Sequence, residues 1–364
     1  MLPIVEARGE LTPEQLERGA RNIALPELGV DGQRRLRDAR VLVVGAGGLG
    51  SPVLQYLAAA GVGTIGIVDF DVVDLSNLQR QIIHAGATIG EPKTSSAARA
   101  IGALDPTIAV VEHQTTLSAE NALDLFAQYD LIVDGSDTFA TRYLANDAAA
   151  ILRKPYVWGS VLRFDGQVTV FWEGAPDGRS LDYRDLHPVP PAPGDALSCS
   201  EAGVLGSLCG TIGSMMATEA IKLITGIGEP LLGRVQNLDA LAATWTQFAL
   251  GRSPTRVPVT ELADYEVFCG VPQFDSGLEV EDVPSGWHLV DVREPYEHEH
   301  RHLDGDTLVP LGQLLTDPSV VTSLLNGPVV VYCATGIRSN RAAQALRAAG
   351  IEAASLRGGI EARR

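Results

Sequence analysis

Several residues in this chain have the types and spacing for chemistry on charged substrates. Gly45-Ala46-Gly47-Gly48-Leu49-Gly50 is a glycine-rich run between an apolar strand and a helix. Such a turn lets backbone N–H groups approach a phosphate closely, and the helix N-terminus attracts the same charge. Asp69 follows at the end of the next strand, where a carboxylate bonds ribose hydroxyls. The glycine run alone leaves a dinucleotide oxidoreductase open. Arg80 and Lys93 then add two cations, more than hydride transfer needs. They suit a triphosphate whose charge grows as pyrophosphate departs. Asp137 ends a later strand and is placed to hold a magnesium ion.

A second group is Cys333-Ala334-Thr335-Gly336-Ile337-Arg338, between a strand and a helix. Backbone N–H groups at a helix start stabilise an anion, so Cys333 beside Arg338 is expected as a thiolate or persulfide. The C-x4-R spacing makes a loop one residue shorter than the C-x5-R loop of phosphatases, a size that fits sulfur. Cys199 precedes a long apolar helix, a place that lowers a thiol pKa. Cys209 and Cys269 read as quiet packed thiols. His298, His300 and His302 alternate with charged residues and read as exposed turn and helix, not as metal ligands.

The elements that must position these groups are α/β throughout. Residues 11–38 read as helical, broken near Pro26 and Gly29. Strand 41–44, the glycine turn, a helix to Ala60 and strand 64–68 form one doubly wound unit. Further strands are expected at 131–133, 155–160 and 167–172, and a long helix at 203–225. Residues 173–198, rich in Pro, Gly and Asp, read as a mobile crossover loop. The first domain spans 1–262 and is Rossmann-like. Residues 263–278 read as a linker. A small α/β domain spans 279–364, with strands 289–292 and 329–332 and a helix 339–349.

The 364 residues carry a net charge of −17, which argues against nucleic acid and anionic membrane surfaces as partners. Apolar runs stop short of the ~18–20 residues that a membrane span requires, and the charged N-terminal stretch does not resemble a secretory signal. Four scattered cysteines without a CxxC pair suit a reducing, cytoplasmic setting.

The motifs GAGGLG, VDFDVVDLSNLQRQ, GEPK, DGSDTFATR, GQVTVF and SCSEAGVLG run in this order over residues 15–240. Together they resemble the ubiquitin-activating superfamily, specifically its bacterial molybdopterin- and thiamin-biosynthesis adenylyltransferases. The resemblance implies ATP and Mg2+ as cofactors. It implies that Gly48 lines the phosphates, Asp69 holds the ribose, and Ser76, Asn77, Leu78, Gln79 and Arg80 contact the nucleotide. Lys93 would neutralise phosphate charge, with Asp137 and Thr138 at the magnesium side. Arg21 matches an arginine that reaches into the partner subunit's site, which implies a homodimer. The implied partner is a ubiquitin-like sulfur-carrier protein ending in Gly-Gly. SCSEAGVLG matches the segment whose cysteine, here Cys199, takes an acyl group or forms a disulfide.

Many relatives of that family hold zinc with two CxxC pairs; Asp182 and Asp185 stand at the first pair and only Cys269 remains of the second. No zinc is expected, and packing is expected to hold the tail of the fold. The segments DVREPYEHEHRHLDGD and LRGGI, with the Cys333 loop, resemble the rhodanese homology domain. That resemblance implies sulfur transfer from thiosulfate or a cysteine desulfurase.

Overall fold

The computed structural model describes residues 2–176, 178–191, 202–269, 277–334 and 336–363. They fall into two compact units, Met1–Val271 and Pro272–Arg364.

The centre of the first unit is built from short apolar strands. β1 (Arg40–Val44), β2 (Thr64–Val68) and β4 (Leu131–Asp134) are buried along nearly their whole length. That continuous burial is what parallel strands covered on both faces require. With β3 (Ala109–His113) and β5 (Tyr156–Leu162) they form the parallel half of an eight-stranded sheet. β6 (Asp165–Phe171), β7 (Arg234–Asp239) and β8 (Thr244–Ala249) extend it in antiparallel fashion, giving the order β3-β2-β1-β4-β5-β6-β7-β8. The chain leaves β1 toward β2 on one side and β4 lies on the other. The C-terminal ends of β1 and β4 therefore flank a topological switch point, where open α/β sheets bind ligands.

The helix Gly206–Thr225 packs across the helix Gly50–Ala59 and strands β5 and β6. Small residues make this approach possible: a Cβ on Gly213 would sit 2.4 Å from Pro52 Cγ and 2.7 Å from the Leu49 carbonyl oxygen.

Three expectations need correction. The expected mobile loop 173–198 is anchored in its described part, residue 177 and residues 192–198 lying outside the described residues: Tyr183 is buried, its N–H donates to Asn146 Oδ1 (2.7 Å), and the Tyr143 hydroxyl donates to the His187 carbonyl (2.9 Å). The supposed linker is shorter than 263–278. Tyr265 packs in the first core and donates to Asp147 Oδ2 (2.7 Å), while Leu278 belongs to the second core. The tail of the first unit is held by charge as well as packing. Arg256 ion-pairs with Asp182, with Asp185 (3.2 Å) and with Glu173 (2.5 Å), its own side chain only 3% exposed. A guanidinium thus stands among the two aspartates that replace the cysteine pair.

The second unit is a five-stranded all-parallel sheet, ordered β11-β10-β12-β13-β9. Its strands are β9 (Glu279–Val280), β10 (His288–Asp291), β11 (Asp306–Leu308), β12 (Val329–Tyr332) and β13 (Ala353–Leu356).

Candidate functional site

The first unit's cleft lies at the switch point and encloses about 210 Å³. Its floor is the glycine turn after β1. Gly45 has φ +85°, and a Cβ on Gly50 would lie 1.9 Å from the Gly45 carbonyl oxygen, so side chains are excluded at both ends of the turn. The loop after β4 closes against it, with a Gly135 Cβ position 2.9 Å from Gly50 N.

Asp69 is held rigidly beside this turn. Its Oδ2 accepts the Ala46 N–H and its Oδ1 the Asp71 N–H, both at 2.8 Å. Burial pushes the Asp69 carboxyl upward, with Lys93 and the two N–H groups opposing it. Lys93 begins the helix Lys93–Leu104 and is 6% exposed; its Nζ donates to Asp71 Oδ2 at 2.8 Å. Arg80 lies over Gly48, where a Cβ would be 3.5 Å from its Cγ and Cδ, and it donates to the Ser76 carbonyl (3.3 Å). Thr138 caps the helix Phe139–Ile151 by accepting the Thr141 N–H (3.2 Å). That leaves the exposed Asp137 carboxylate without a hydrogen bond or ion pair among the described residues. A hard, uncommitted oxygen donor at the cleft fits Mg2+.

In the second unit, Cys333 follows β12 and is 1% exposed. Gly336, at φ +104°, starts the helix Ile337–Ala348 and directs its N–H to Cys333 Sγ (3.1 Å). The terminal glycine pair braces this loop. Ile360 and Glu361 donate to the carbonyls of Cys333 (2.9 Å) and Ala334 (3.1 Å), and a Cβ on Gly359 would strike the Ala334 oxygen at 2.3 Å. Arg338 forks onto Glu297 with two 2.7 Å bonds, so the cation assigned to the sulfur is shared with a carboxylate. Thr335 and Cys199 lie outside the described residues.

His298 is half-buried rather than fully exposed, with Nδ1 3.1 Å from Asp291 Oδ2 and 3.5 Å from Asp306 Oδ2. Ligand atoms of His298, His302 and Asp306 lie within 4.8 Å of one another. The two rings nevertheless stack at 4.3 Å and 21°, so their in-plane lone pairs run side by side instead of converging.

Residues 20–259 match the ThiF family model and residues 274–363 the rhodanese-like domain. The chain belongs to the ThiF family. It is 51% identical to the "Probable adenylyltransferase/sulfurtransferase MoeZ" of Mycobacterium tuberculosis, over 99% of this chain and 95% of that protein. It is 49% identical to the "Sulfur carrier protein adenylyltransferase" of Thermus thermophilus, over 71% of this chain and 98% of the relative. Among solved structures, E. coli MccB with MccA-N7isoASN aligns at TM-score 0.59 and 21% identity, covering 67% of this chain and 75% of that one. That likeness concerns the fold.

Of the residues singled out in this ThiF-family chain, Gly48, Asp69, Arg80, Lys93, Asp137 and Thr138 line one cleft. Ser76, Asn77, Leu78 and Gln79 occupy the segment leading to Arg80 without lining it, and Arg21 is exposed on the short helix Ala20–Ile23. Two of the cleft residues that were not foreseen bear on its chemistry. Cys209, read as core, is buried but lines the cleft, its Sγ 3.0 Å from a Gly48 Cβ. Arg142 is 6% exposed, donates through Nε and Nη2 to the Ser136 carbonyl (3.3 and 3.2 Å), and lies over Phe139 and Trp158. Its position one helical turn after Thr138 was the signal for it. Among the described residues, no helix is long and apolar enough to cross a membrane.

Proposed function

We propose that the first unit uses ATP to adenylate the C-terminal glycine of a ubiquitin-like sulfur-carrier protein ending in Gly-Gly. In the same reading, the rhodanese-like unit donates sulfur through a Cys333 persulfide, so that the carrier leaves as a thiocarboxylate. The enzyme is an adenylyltransferase and sulfurtransferase. The observation that carries this reading is the convergence of Gly48, Asp69, Arg80, Lys93 and Asp137 on one cleft at the switch point. The match to relatives named for both activities, over 99% and 93% of this chain, supports it.

The chemistry starts from a carboxylate, a poor acyl donor because its leaving group would be oxide. Carboxylate oxygen attacks the α-phosphorus of ATP, the α–β bridging P–O bond breaks, and pyrophosphate leaves. The product is an acyl-adenylate whose leaving group is AMP. The protein's share is positioning and charge neutralisation. Asp69 orients the ribose through lone pairs not used by Ala46 and Asp71. Arg80, Lys93 and Arg142 face the phosphate charge, Lys93 exchanging Asp71 for phosphate. Asp137 would hold Mg2+, which supplies Lewis-acid neutralisation of the phosphates when bound. Arg21 acts across a homodimer in the partner subunit's site.

Cys333 accepts sulfane sulfur from thiosulfate or a cysteine desulfurase. Its terminal persulfide sulfur attacks the acyl carbon, expels AMP and leaves an acyl disulfide. Cys199 thiolate attacks the Cys333 sulfur, which releases the carrier thiocarboxylate and leaves a Cys199–Cys333 disulfide for an external dithiol to reduce. The molybdenum-cofactor pathway fits the relatives' names; thiamin biosynthesis uses carriers of the same kind.

The test is carrier-dependent exchange of labelled pyrophosphate into ATP, followed by mass analysis of the carrier after incubation with thiosulfate. Exchange together with the mass gain of oxygen replaced by sulfur is expected. Absence of exchange with every Gly-Gly carrier tried refutes the reading.

A further inference from the structure

His84 is 7% exposed and does not itself line the cleft. Its Nε2 lies 2.9 Å from the Ala46 carbonyl oxygen and its Nδ1 2.9 Å from Ser96 Oγ. Ala46 is thereby gripped at both ends, since its N–H already donates to Asp69 Oδ2. Ser96 lies one turn along the helix that Lys93 begins.

These bonds close a ring through the whole phosphate end of the cleft. From Ala46 it passes to Asp69, from Asp69 to the Asp71 N–H, and from Asp71 Oδ2 to Lys93 Nζ. It then follows the Lys93 helix to Ser96 and returns through His84 to Ala46. We propose that His84 is a positioning residue for adenylation, which fixes the glycine turn and the Lys93 helix in one register so that both address the same phosphates.

The protonation pattern supports this role. A carbonyl oxygen only accepts, so Nε2 carries the hydrogen toward Ala46. Nδ1 lies against Ser96 Oγ, whose hydroxyl also donates to Thr88 Oγ1 at 2.9 Å, so Ser96 joins the ring at both His84 and Thr88. Burial, the largest influence, lowers the His84 pKa; the Ala46 carbonyl opposes it, Lys93 adds to it and Asp69 opposes it. The ring is therefore neutral at neutral pH, one nitrogen lying against the turn and the other against the helix. When Lys93 leaves Asp71 for a phosphate, the His84–Ser96 link ties its helix to the turn alongside the bond from the Lys93 N–H to the Asp71 carbonyl (2.9 Å).

This inference rests on the adenylation reading, and the experiment separates the two. ATP–Mg2+ binding to the full chain is measured by calorimetry, and exchange kinetics give KM for ATP and kcat. His84→Ala is expected to raise KM for ATP on the order of tenfold or more, because the Ala46 carbonyl loses a buried donor and Ser96 keeps only Thr88. The effect falls on KM because the turn holds phosphate in ground and transition states alike. A merely structural defect would instead reduce the active fraction, lowering kcat with KM unmoved.

His84→Gln keeps a donor for Ala46 and a polar atom for Ser96, and is expected to restore KM to within about threefold. Ser96→Ala is expected to fall between the two. A parent protein that binds no ATP brings down the adenylation reading and this inference with it. A parent that binds ATP and a His84→Ala variant with unchanged KM, or Gln and Ala variants equally impaired, brings down this inference alone.

Discussion

Replacing Arg256 by alanine tests whether a charge cluster holds the tail of the first unit. Among the described residues, the substitution removes the only guanidinium that meets Glu173, Asp182 and Asp185 together; those side chains are 18%, 3% and 0% exposed. Arg252 reaches Glu173 at 3.5 Å but is 44% exposed and leaves the two aspartates uncompensated. Stripping the partner from buried charges costs about 3–5 kcal/mol. For a unit of this size that corresponds to a fall in Tm of roughly 6–20 °C. Calorimetry of the full chain reads it as a downward shift of the first unit's transition alone.

The pH dependence gives a second check on the same variant. Burial already pushes the Asp182 carboxyl upward, with Arg256 opposing it. Without Arg256 the folded carboxyl binds its proton more tightly than the unfolded one. Stability is therefore regained as pH falls from neutrality toward the ordinary Asp value of 3.8. The deficit against the parent must narrow over that range. A Tm fall of less than about 3 °C, or a deficit that does not change with pH, refutes the charge-cluster account. A chelator is expected to leave the parent's Tm unchanged.

Lys93→Ala is expected to lower kcat/KM for pyrophosphate exchange by on the order of 100-fold or more, and unchanged exchange would remove Lys93 from the phosphate site. Cys333→Ser is expected to abolish carrier thiocarboxylate, read by mass, while exchange persists; thiocarboxylate formation without Cys333 would exclude the persulfide route. Cys199→Ser is expected to let the acyl disulfide accumulate on Cys333, seen as a carrier adduct on non-reducing gels. In the second unit, burial raises the Glu297 carboxyl, but the Arg338 fork, the Glu294 N–H and Arg293 together outweigh it and hold it below the ordinary 4.5. The stability this pair contributes is present above that value and is lost as pH falls through the lowered one, so Glu297→Gln must flatten the acid limb of that unit's unfolding.

The parallel core was legible because a buried strand needs an uninterrupted apolar run: Thr64–Val68 and Val329–Tyr332 match the expected bounds. The antiparallel half was legible only at β6, expected at 167–172 and found at Asp165–Phe171; β7 and β8 were missed, β8 being exposed throughout, with no alternation of buried and open positions in TWTQFA. The glycine turn and the CATGIR loop were legible for a related reason, since their geometry demands particular residue types. What escaped was long-range. Arg256 is 83 residues from Glu173, and no local pattern links a surface-type residue to the carboxylates that bury it. His84 was missed likewise, because its partners Ala46 and Ser96 lie 38 and 12 residues away on opposite sides.

The two units solve an electrostatic problem with one local device. Each takes an apolar strand, turns sharply through a glycine in the left-handed region (Gly45 at +85°, Gly336 at +104°), and starts a helix from the turn. Each turn therefore presents N–H groups to an anion, which in the proposed reading is phosphate in one and sulfur in the other. What differs is the surrounding charge. The nucleotide turn faces Arg80, Lys93 and Arg142, suiting a ligand that gains charge as pyrophosphate leaves. The sulfur loop pairs its arginine with Glu297 and relies on the Gly336 N–H at Sγ. A nucleophile held by neutral donors keeps more of its electron density for attack than one bound to a free cation. Freeing Arg338 by Glu297→Gln is therefore expected to slow transfer from the Cys333 persulfide in a single turnover, and a faster transfer would overturn this account of the loop.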